Sequence, residues 1–254
     1  MVFDLLMPVY NEEDHLKLVI EKIILLQTKL KEKNIDLNLI IIDDCSKDLS
    51  LSIANECSLK YNWITVLKHN NNLGKGAALK TGFLYSTGDY IGIQDSDLEY
   101  DPMDYVKLIE LMQSKNANVV YGSRYLKRNN NESLFHIFVN KFLTLLFNVC
   151  NGVFISDMET CYKLFSTTLK NKFVSKLKEK RFGFEVEVSS YIVKMGYKIY
   201  ETSIAYTPRN YVEGKKINYK DGLRAIYCIF RYSSKKILLL YLFLFLILLV
   251  LVCK

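Results

Sequence analysis

Short apolar runs alternate with helical patterns over the first half of the chain, and this alternation limits the fold class. Five apolar runs bounded by turn residues predict strands at residues 3–7, 37–42, 64–67, 90–93 and 119–121. Helical periodicity fills the intervals, at residues 14–33, 47–60, 75–86 and 103–115. This order predicts an α/β fold with a Rossmann-like, doubly wound, mostly parallel sheet, whose ligands bind at the carboxyl ends of the strands.

The alternation weakens after residue 128. Residues 129–131 are predicted to form a loop, and residues 134–149 and 219–232 are predicted to form two helices rich in apolar side chains. Either helix can pack on the sheet or lie at a membrane interface. The position of the second helix, just before a long apolar segment, favours an interfacial helix.

That apolar segment covers residues 237–253. Its 17 residues span roughly 25 Å as a helix, against about 30 Å for the hydrocarbon core of a bilayer. A buried core helix is the alternative, but Lys235, Lys236 and Lys254 flank the segment and can reach the two interfaces. We therefore predict one C-terminal transmembrane helix and a lipid bilayer as partner, with the preceding part of the chain on the cytoplasmic side.

The charge distribution points to a membrane surface and away from nucleic acid. The net charge is only +7, and Lys and Arg become denser over residues 209–236, just before the apolar segment. The six cysteines form no C-x-x-C pair, so we expect reduced thiols and no zinc finger. The predicted partners therefore include no nucleic acid.

Polar clusters follow four of the predicted strands, at residues 8–12, 43–44, 95–99 and 122–125. Asp95, Asp97 and Glu99 offer the hard oxygen ligands that Mg²⁺ or Mn²⁺ prefers, and such a cation can hold a diphosphate. A solvated acidic turn is the alternative for these three residues. Asp43 or Asp44 can equally be the N-cap of the following helix.

Residues 72–76, Asn-Leu-Gly-Lys-Gly, precede a predicted helix but lack the spacing of a P-loop. Their two glycines allow close approach of the backbone to a ligand, or simply a tight entry into the helix.

Taken in order, these five motifs resemble family 2 inverting glycosyltransferases of the dolichyl-phosphate mannose synthase type. Residues 157–163 and 213–216 resemble the related bacterial polyprenyl-phosphate glycosyltransferases. The resemblance covers residues 1–230 and implies a GT-A fold. Residues 1–128 would then form the nucleotide-sugar and metal-binding part, and residues 129–232 the acceptor-binding part.

The resemblance also assigns residues to roles. The nucleotide-sugar would contact Pro8, Tyr10, Glu12, Ile42, Asp44, Asp95, Ser96, Asp97, Arg124, Arg209 and Lys215. Within that set, Asp95 and Asp97, together with Glu99, would hold the cation. Asp97, Arg124 and Arg209 would be the catalytic residues, with Arg124 at a phosphate and Arg209 and Lys215 in a basic loop.

The expected reaction is inverting, metal-dependent transfer of one sugar from GDP-mannose or a UDP-hexose to dolichyl or undecaprenyl phosphate at the cytoplasmic membrane face. A phosphate monoester has its second pKa near 6, so the acceptor is already nucleophilic and no general base is assigned. A glycosyltransferase with a glycan acceptor, and a non-catalytic sugar-nucleotide binding protein, remain as alternatives. A processive synthase is disfavoured, since the only tryptophan, Trp63, lies outside any Q-x-x-R-W motif.

Two residues depart from the family pattern. Cys45 replaces the glycine that usually follows the paired aspartates, and Ser96 replaces a common alanine. Because a Cβ atom restricts positive φ, Cys45 puts the geometry of its turn in question.

Overall fold

The computed structural model of the chain describes residues 1–127, 132–209 and 219–234. Within them, one seven-stranded sheet has the strand order β3-β2-β1-β4-β6-β5-β7. The strands are β1 (Val2–Val9), β2 (Asp36–Asp43), β3 (Ile64–Lys68), β4 (Tyr90–Ile93), β5 (Val119–Ser123), β6 (Lys163–Ser166) and β7 (Tyr200–Ser203). β6 is antiparallel to both of its neighbours and every other pairing is parallel. The predicted mostly parallel α/β sheet is confirmed.

Helices connect most of the strands, and one more described helix follows β7. They are α1 (Glu13–Lys31), α2 (Ser50–Lys60), α3 (Lys75–Tyr85), α4 (Tyr105–Ser114), α5 (Leu134–Asn151), α6 (Thr167–Phe173), α7 (Phe184–Lys194) and α8 (Tyr219–Tyr232). A short 3-10 turn, Pro102–Asp104, precedes α4, and another, Val174–Lys176, follows α6. Five of the predicted strands and six of the predicted helices are present; β6, β7, α6 and α7 were not predicted.

β1 lies inside the sheet and is buried along nearly its whole length, as its apolar composition requires. Asp4 is the one charged residue of this strand, and its carboxylate is also buried. Asp4 accepts hydrogen bonds from the backbone N–H groups of Thr87 and Gly88, at 2.8 and 2.7 Å, and from the Asn38 amide at 2.9 Å. These bonds compensate the desolvation of the carboxylate and fix the turn that leads into β4.

The parallel register brings the predicted motifs to one edge of the sheet. Val9 at the end of β1 pairs with Asp43 at the end of β2, and Leu6 of β1 pairs with Ile93 at the end of β4. The polar residues that follow these strands therefore emerge side by side, where open α/β sheets bind their ligands.

The two predicted parts of the chain share this one sheet. β6 comes from the second part, yet it lies between β4 and β5 of the first part. The parts at 1–128 and 129–232 are therefore continuous in the fold.

One described helix, α5, is long and apolar enough to cross a membrane by length and composition, although a core helix of a soluble protein can pass the same test. It lies in the middle of the chain. The predicted C-terminal transmembrane helix, residues 237–253, lies outside the described residues.

Candidate active site

A cavity of about 1060 Å³ opens at the carboxyl ends of β1, β2, β4 and β5 and extends to α5 and α8. It is lined by most of the residues that the sequence assigned to the nucleotide-sugar and the metal: Pro8, Tyr10, Glu12, Asp44, Asp95, Ser96, Asp97, Glu99, Arg124 and Arg209. Ile42 is placed elsewhere: it is fully buried in the core, beside Gly82 of α3. Lys215 lies outside the described residues.

Arg209 ties together carboxylates from three motifs. Its guanidinium donates to Asp97 Oδ2 at 2.7 Å and to Glu12 Oε2 at 3.0 Å. Its backbone N–H donates to Glu99 Oε1 at 2.8 Å, and the Tyr206 hydroxyl donates to Glu99 Oε2 at 3.3 Å. The chain that follows β7 is thereby held over the ends of β1 and β4.

Lys75 also bridges two carboxylates of the cavity wall. Its ammonium lies 2.8 Å from Asp95 Oδ1 and 3.2 Å from Glu185 Oε1. Although burial acts to raise it, the charge of Lys75 lowers the pKa of Asp95. Asp95 is therefore a carboxylate at neutral pH.

The pKa of Asp97, unlike that of Asp95, is raised. Burial, together with the negative charges of Asp95 and Glu99, raises the pKa of Asp97 to about 7, and Arg209 only partly offsets this effect. The acidic motif therefore carries more negative charge than its protein partners compensate.

The predicted metal ligands, Asp95, Asp97 and Glu99, are each bound to other groups of the protein in this structure. Among the described residues, no three His, Cys, Asp or Glu side chains form a group able to hold a metal ion. The physical reason is that Lys75 holds Asp95, Arg209 holds Asp97, and Tyr206 and the Arg209 backbone hold Glu99. The uncompensated charge at Asp97 nevertheless fits a divalent cation, since a cation would relieve the repulsion that raises its pKa.

Asp44 is not a helix cap in this structure. Its carboxylate accepts hydrogen bonds from the backbone N–H groups of Leu73 and Gly74, at 2.9 and 2.7 Å, and lies 2.7 Å from His69 Nδ1. Nor does Asp43 cap α2, since its carboxylate accepts from the backbone of Ser46. The cap interpretation was wrong for both aspartates.

The glycines at 74 and 76 approach the chain's own backbone. Gly74 has φ +96°, and a Cβ atom at Gly74 or at Gly76 would lie closer than 3.0 Å to a carbonyl oxygen of residues 179–181. The Ala77 N–H also donates to the Lys180 carbonyl, at 3.1 Å. Both glycines therefore permit close packing against another segment of the chain, which positions Lys75 toward the cavity, and Gly74 itself also lines that cavity.

Arg124 is buried in a bidentate pair with Asp157. Its Nε and one terminal nitrogen each lie 2.8 Å from an Asp157 oxygen, and its guanidinium stacks 5.2 Å from the centre of the Tyr206 ring. The guanidinium lines the cavity with much of its charge already neutralised.

Comparison with known proteins identifies the family. Residues 4–168 match the description of glycosyl transferase family 2. The chain belongs to glycosyl transferase family 2. It is thus a glycosyltransferase, as the motifs predicted.

Two relatives of this glycosyltransferase bear a more specific name. It is 29% identical over 237 residues to a dolichyl-phosphate beta-glucosyltransferase of Trichomonas vaginalis, covering 89% of this chain and 71% of the relative. It is 27% identical over 232 residues to a dolichyl-phosphate beta-glucosyltransferase of Dictyostelium discoideum, covering 84% and 68%.

The fold of the glycosyltransferase is also similar to that of a solved structure. Glucosyl-3-phosphoglycerate synthase of Mycobacterium tuberculosis, crystallised with Mn²⁺, UDP-glucose and phosphoglyceric acid, superposes with a TM-score of 0.66 at 17% identity, over 91% of this chain and 79% of that one. The expected GT-A architecture is confirmed by this likeness.

Cys45 has φ 65°, in the left-handed region, so the glycosyltransferase places a residue with a Cβ atom in a conformation that favours glycine. Its thiol contacts the Asn70 carbonyl at 3.5 Å. The turn keeps its positive φ despite the substitution, and Asp44 still reaches the 72–76 loop.

The cavity residues of the glycosyltransferase that the sequence did not assign to the site include Lys75, Glu159, Glu185 and Tyr206. Lys75 and Glu159 stand in motifs that the resemblance had marked, so a search for ionisable residues within those motifs would have found them. Glu185 and Tyr206 stand in no motif, and their positions become visible only when the chain is folded.

Proposed function

We propose that this glycosyltransferase transfers one glucosyl group from UDP-glucose to a polyprenyl phosphate of the dolichyl type, with inversion at the anomeric carbon, at a membrane surface. The observation that carries the proposal is a single cavity with two unlike ends. Carboxylates of the strand-end motifs line one end, and apolar side chains of α5 and α8 line the other. A donor that carries a diphosphate and an acceptor that carries a lipid tail need this combination.

The carboxylate end suits the donor. We assign Asp95 and Asp97 to a divalent cation, Mg²⁺ or Mn²⁺, with Glu99 beside them. Such a cation, when bound, neutralises the charge that develops on the leaving nucleoside diphosphate. Lys75 keeps Asp95 ionised for this purpose, and the backbone hydrogen bond from Glu99 to Asp97 Oδ1, at 3.0 Å, orients the second carboxylate.

The apolar end suits the acceptor. Phe135, Phe142 and Leu223 line the cavity and are also exposed to solvent, so the apolar wall continues onto the surface. On that surface α5 exposes Leu134, Phe138, Leu145 and Val149, and α8 exposes Tyr227 and Phe230. An exposed apolar area of this kind is typical of helices that lie in a membrane interface.

The relatives support the choice of sugar and acceptor. The names of the two relatives describe transfer of a glucosyl group to dolichyl phosphate. Of the two donors that the sequence left open, GDP-mannose and a UDP-hexose, a glucosyl transfer corresponds to the UDP-hexose.

The chemistry asks little of the protein beyond positioning. At neutral pH the acceptor phosphate monoester is largely a dianion, so it can attack the anomeric carbon without a protein base. As the substrates enter, the Arg209 guanidinium would leave Asp97 and bind a phosphate oxygen. Arg124 would remain paired with Asp157 and stabilise the negative charge of the same phosphate group. The predicted contribution of Lys215 falls outside the described residues.

We propose that the catalytic part lies on the cytoplasmic face of the membrane. The support is the sequence, in which Lys235 and Lys236 precede the apolar residues 237–253, since positively charged residues favour the cytoplasmic side of a spanning segment.

Incubation of the purified chain with Mn²⁺, dolichyl phosphate and radiolabelled UDP-glucose, followed by extraction into organic solvent, tests this function. We expect label in the organic phase, its loss with EDTA, and its release by a β-glucosidase. Label from GDP-mannose instead would replace the donor, and no label from either donor would overturn the proposal.

A further inference from the structure

Two carboxylates in the cavity wall each carry an oxygen that no other described residue engages. These atoms are Glu159 Oε1 and Glu185 Oε2, both of them buried. Glu185 is only 5% exposed, and both residues line the cavity. Because a buried acceptor without a partner is costly and rare in folded proteins, the pair calls for a ligand that supplies hydrogen-bond donors.

Both carboxylates lie next to the donor end of the cavity. Glu185 is in the first turn of α7, and its other oxygen lies 3.2 Å from the Lys75 ammonium, which itself lies 2.8 Å from Asp95. Glu159 stands in the turn before β6 and interacts electrostatically with Glu185. One ammonium group therefore separates the acidic motif from this second pair of carboxylates.

The charge of the pair is already compensated by the protein. Lys75 contacts Glu185, and the fully buried Lys163 interacts electrostatically with both carboxylates while donating to the carbonyls of Met158 and Thr160. A ligand at this wall therefore has no charge to neutralise. A phosphate dianion has no hydrogen to donate to the open oxygens, whereas neutral hydroxyl groups can donate to both.

We infer that Glu159 and Glu185 bind hydroxyl groups of the donor sugar and select a neutral hexosyl group over a hexuronosyl group. This inference rests on the proposed function, since it names the sugar-binding wall of the same cavity. The sugar is covalently attached to the diphosphate, so a diphosphate at Asp95 and Asp97 brings the sugar hydroxyls toward the neighbouring carboxylates.

The selectivity follows from the open acceptor oxygens of the wall. UDP-glucuronic acid differs from UDP-glucose by a carboxylate in place of one hydroxymethyl group, and an ionised carboxylate has no hydrogen to donate to Glu159 Oε1 or Glu185 Oε2. Sites built to accept hydrogen bonds from a substrate also reject analogues that leave their polar groups unpaired. We expect UDP-glucuronic acid to bind at least about 10-fold more weakly than UDP-glucose, which corresponds to one charged hydrogen bond.

The first test uses the unaltered chain and needs no variant to fold. Titration calorimetry with Mn²⁺ would compare UDP, UDP-glucose and UDP-glucuronic acid. Weaker binding of the uronic acid donor alone supports the inference, and equal binding of both sugars overturns it. If none of the three binds, the proposed function fails first and the inference fails with it.

The second test uses Glu159→Gln and Glu185→Gln, with Glu56→Gln as the matched control. Glu56 is an exposed glutamate of α2, away from the cavity lining. In the two cavity variants we expect UDP-glucose affinity to fall about 10-fold while UDP affinity changes less than about 2-fold, and discrimination against UDP-glucuronic acid to narrow.

The control should keep the affinities of the unaltered chain. Equal losses for UDP and UDP-glucose in the cavity variants would overturn the sugar-binding role. Normal glucosyl transfer by the unaltered chain in the same experiment would then leave the proposed function standing.

Discussion

Arg209 donates a hydrogen bond of 2.7 Å to Asp97, although the two residues are 112 positions apart in the chain. The same guanidinium reaches Glu12 at 3.0 Å, so one cation from the chain after β7 bridges the ends of β1 and β4. This bridge occupies the carboxylate that we assign to a divalent cation. We therefore expect donor binding and the position of the chain around Arg209 to be coupled through Asp97.

Replacing Asp97 tests the centre of the site. We expect Asp97→Asn to reduce glucosyl transfer by about 1000-fold or more, because a cation ligand at a strand end contributes to the transition state and little to the core. Circular dichroism should show an unchanged fold. Asp36→Asn, at an exposed position of β2, is the control and should keep full transfer. Substantial transfer by Asp97→Asn would refute the metal assignment.

Replacing Arg209 should separate cation binding from catalysis. In Arg209→Ala the carboxylates of Asp97 and Glu12 lose a competing cation, so we expect tighter binding of Mn²⁺ by about 5-fold or more. Transfer should nevertheless fall by about 100-fold, since the phosphate loses its guanidinium. Mn²⁺ affinity is measured by electron paramagnetic resonance in the absence of donor. An unchanged affinity would show that the bridge does not compete with the metal.

The pKa of Glu159 makes a prediction about stability. Burial and the charge of Glu185 raise this pKa from 4.5 to about 7. The folded state therefore binds the Glu159 proton more tightly than the unfolded state does, and this stabilising contribution is present below pH 4.5 and lost as the pH rises through 7. Glu159→Gln removes the penalty, so it should stabilise the fold at pH 8 by up to about 3 kcal/mol.

The same variant should show little or no gain at pH 4.5. Urea unfolding at the two pH values measures the difference. A variant that is more stable at pH 8 yet binds UDP-glucose less tightly would identify Glu159 as a residue retained for function at a cost in stability. A loss of stability at both pH values would indicate a structural role instead.

Much of this structure could be predicted from the sequence. Strands β1 to β5 and their helices follow from local hydrophobic periodicity, and the parallel order alone brings the strand-end motifs together. β6, Lys-Leu-Phe-Ser, and β7, Tyr-Glu-Thr-Ser, were missed because neither is a continuous apolar run, and because β6 is defined by antiparallel pairing with β4 and β5, which are distant in sequence. Periodicity carries no information about such pairings.

The site was predictable to the same extent. The residue types that line the cavity were recognised, but the partner of each carboxylate was not. Lys75 meets Glu185 across 110 positions, and no spacing rule links them. The packing partner of the glycines at 74 and 76 could not be predicted for a related reason, since the backbone that they approach belongs to residues 179–181.

The packing of Gly76 gives a prediction with an internal control. A Cβ atom at Gly76 would lie closer than 3.0 Å to the Glu179 carbonyl oxygen, so the two backbone segments must separate in Gly76→Ala. We expect a loss of about 2–4 kcal/mol in unfolding free energy and weaker transfer, because Lys75 shifts relative to Asp95. At Gly222 of α8 a Cβ atom would meet no described atom within 4 Å. Gly222→Ala should therefore be neutral or stabilising, by about 0.5–1 kcal/mol.

The exposed aromatic face of α5 gives the last prediction. Phe138 is 68% exposed, lies outside the cavity lining, and belongs to a surface on which α5 and α8 both present apolar side chains. If this surface lies in a membrane interface, Phe138→Ser should weaken binding to liposomes by about 5-fold, because roughly 1 kcal/mol of apolar burial is lost. Binding of UDP-glucose in solution should not change, since Phe138 does not touch the donor end.

Leu59→Ser is the matched control for the loss of an exposed apolar side chain. Leu59 is 90% exposed on α2, which packs beside β3 at the opposite edge of the sheet from β7. Sedimentation with liposomes of neutral phospholipid, with and without dolichyl phosphate, measures both variants. A loss confined to Phe138→Ser would assign membrane contact to α5, because general solubility effects would alter both variants. Equal binding by both variants would instead leave attachment to residues 237–253, and α5 would then serve only as the wall of the acceptor cavity.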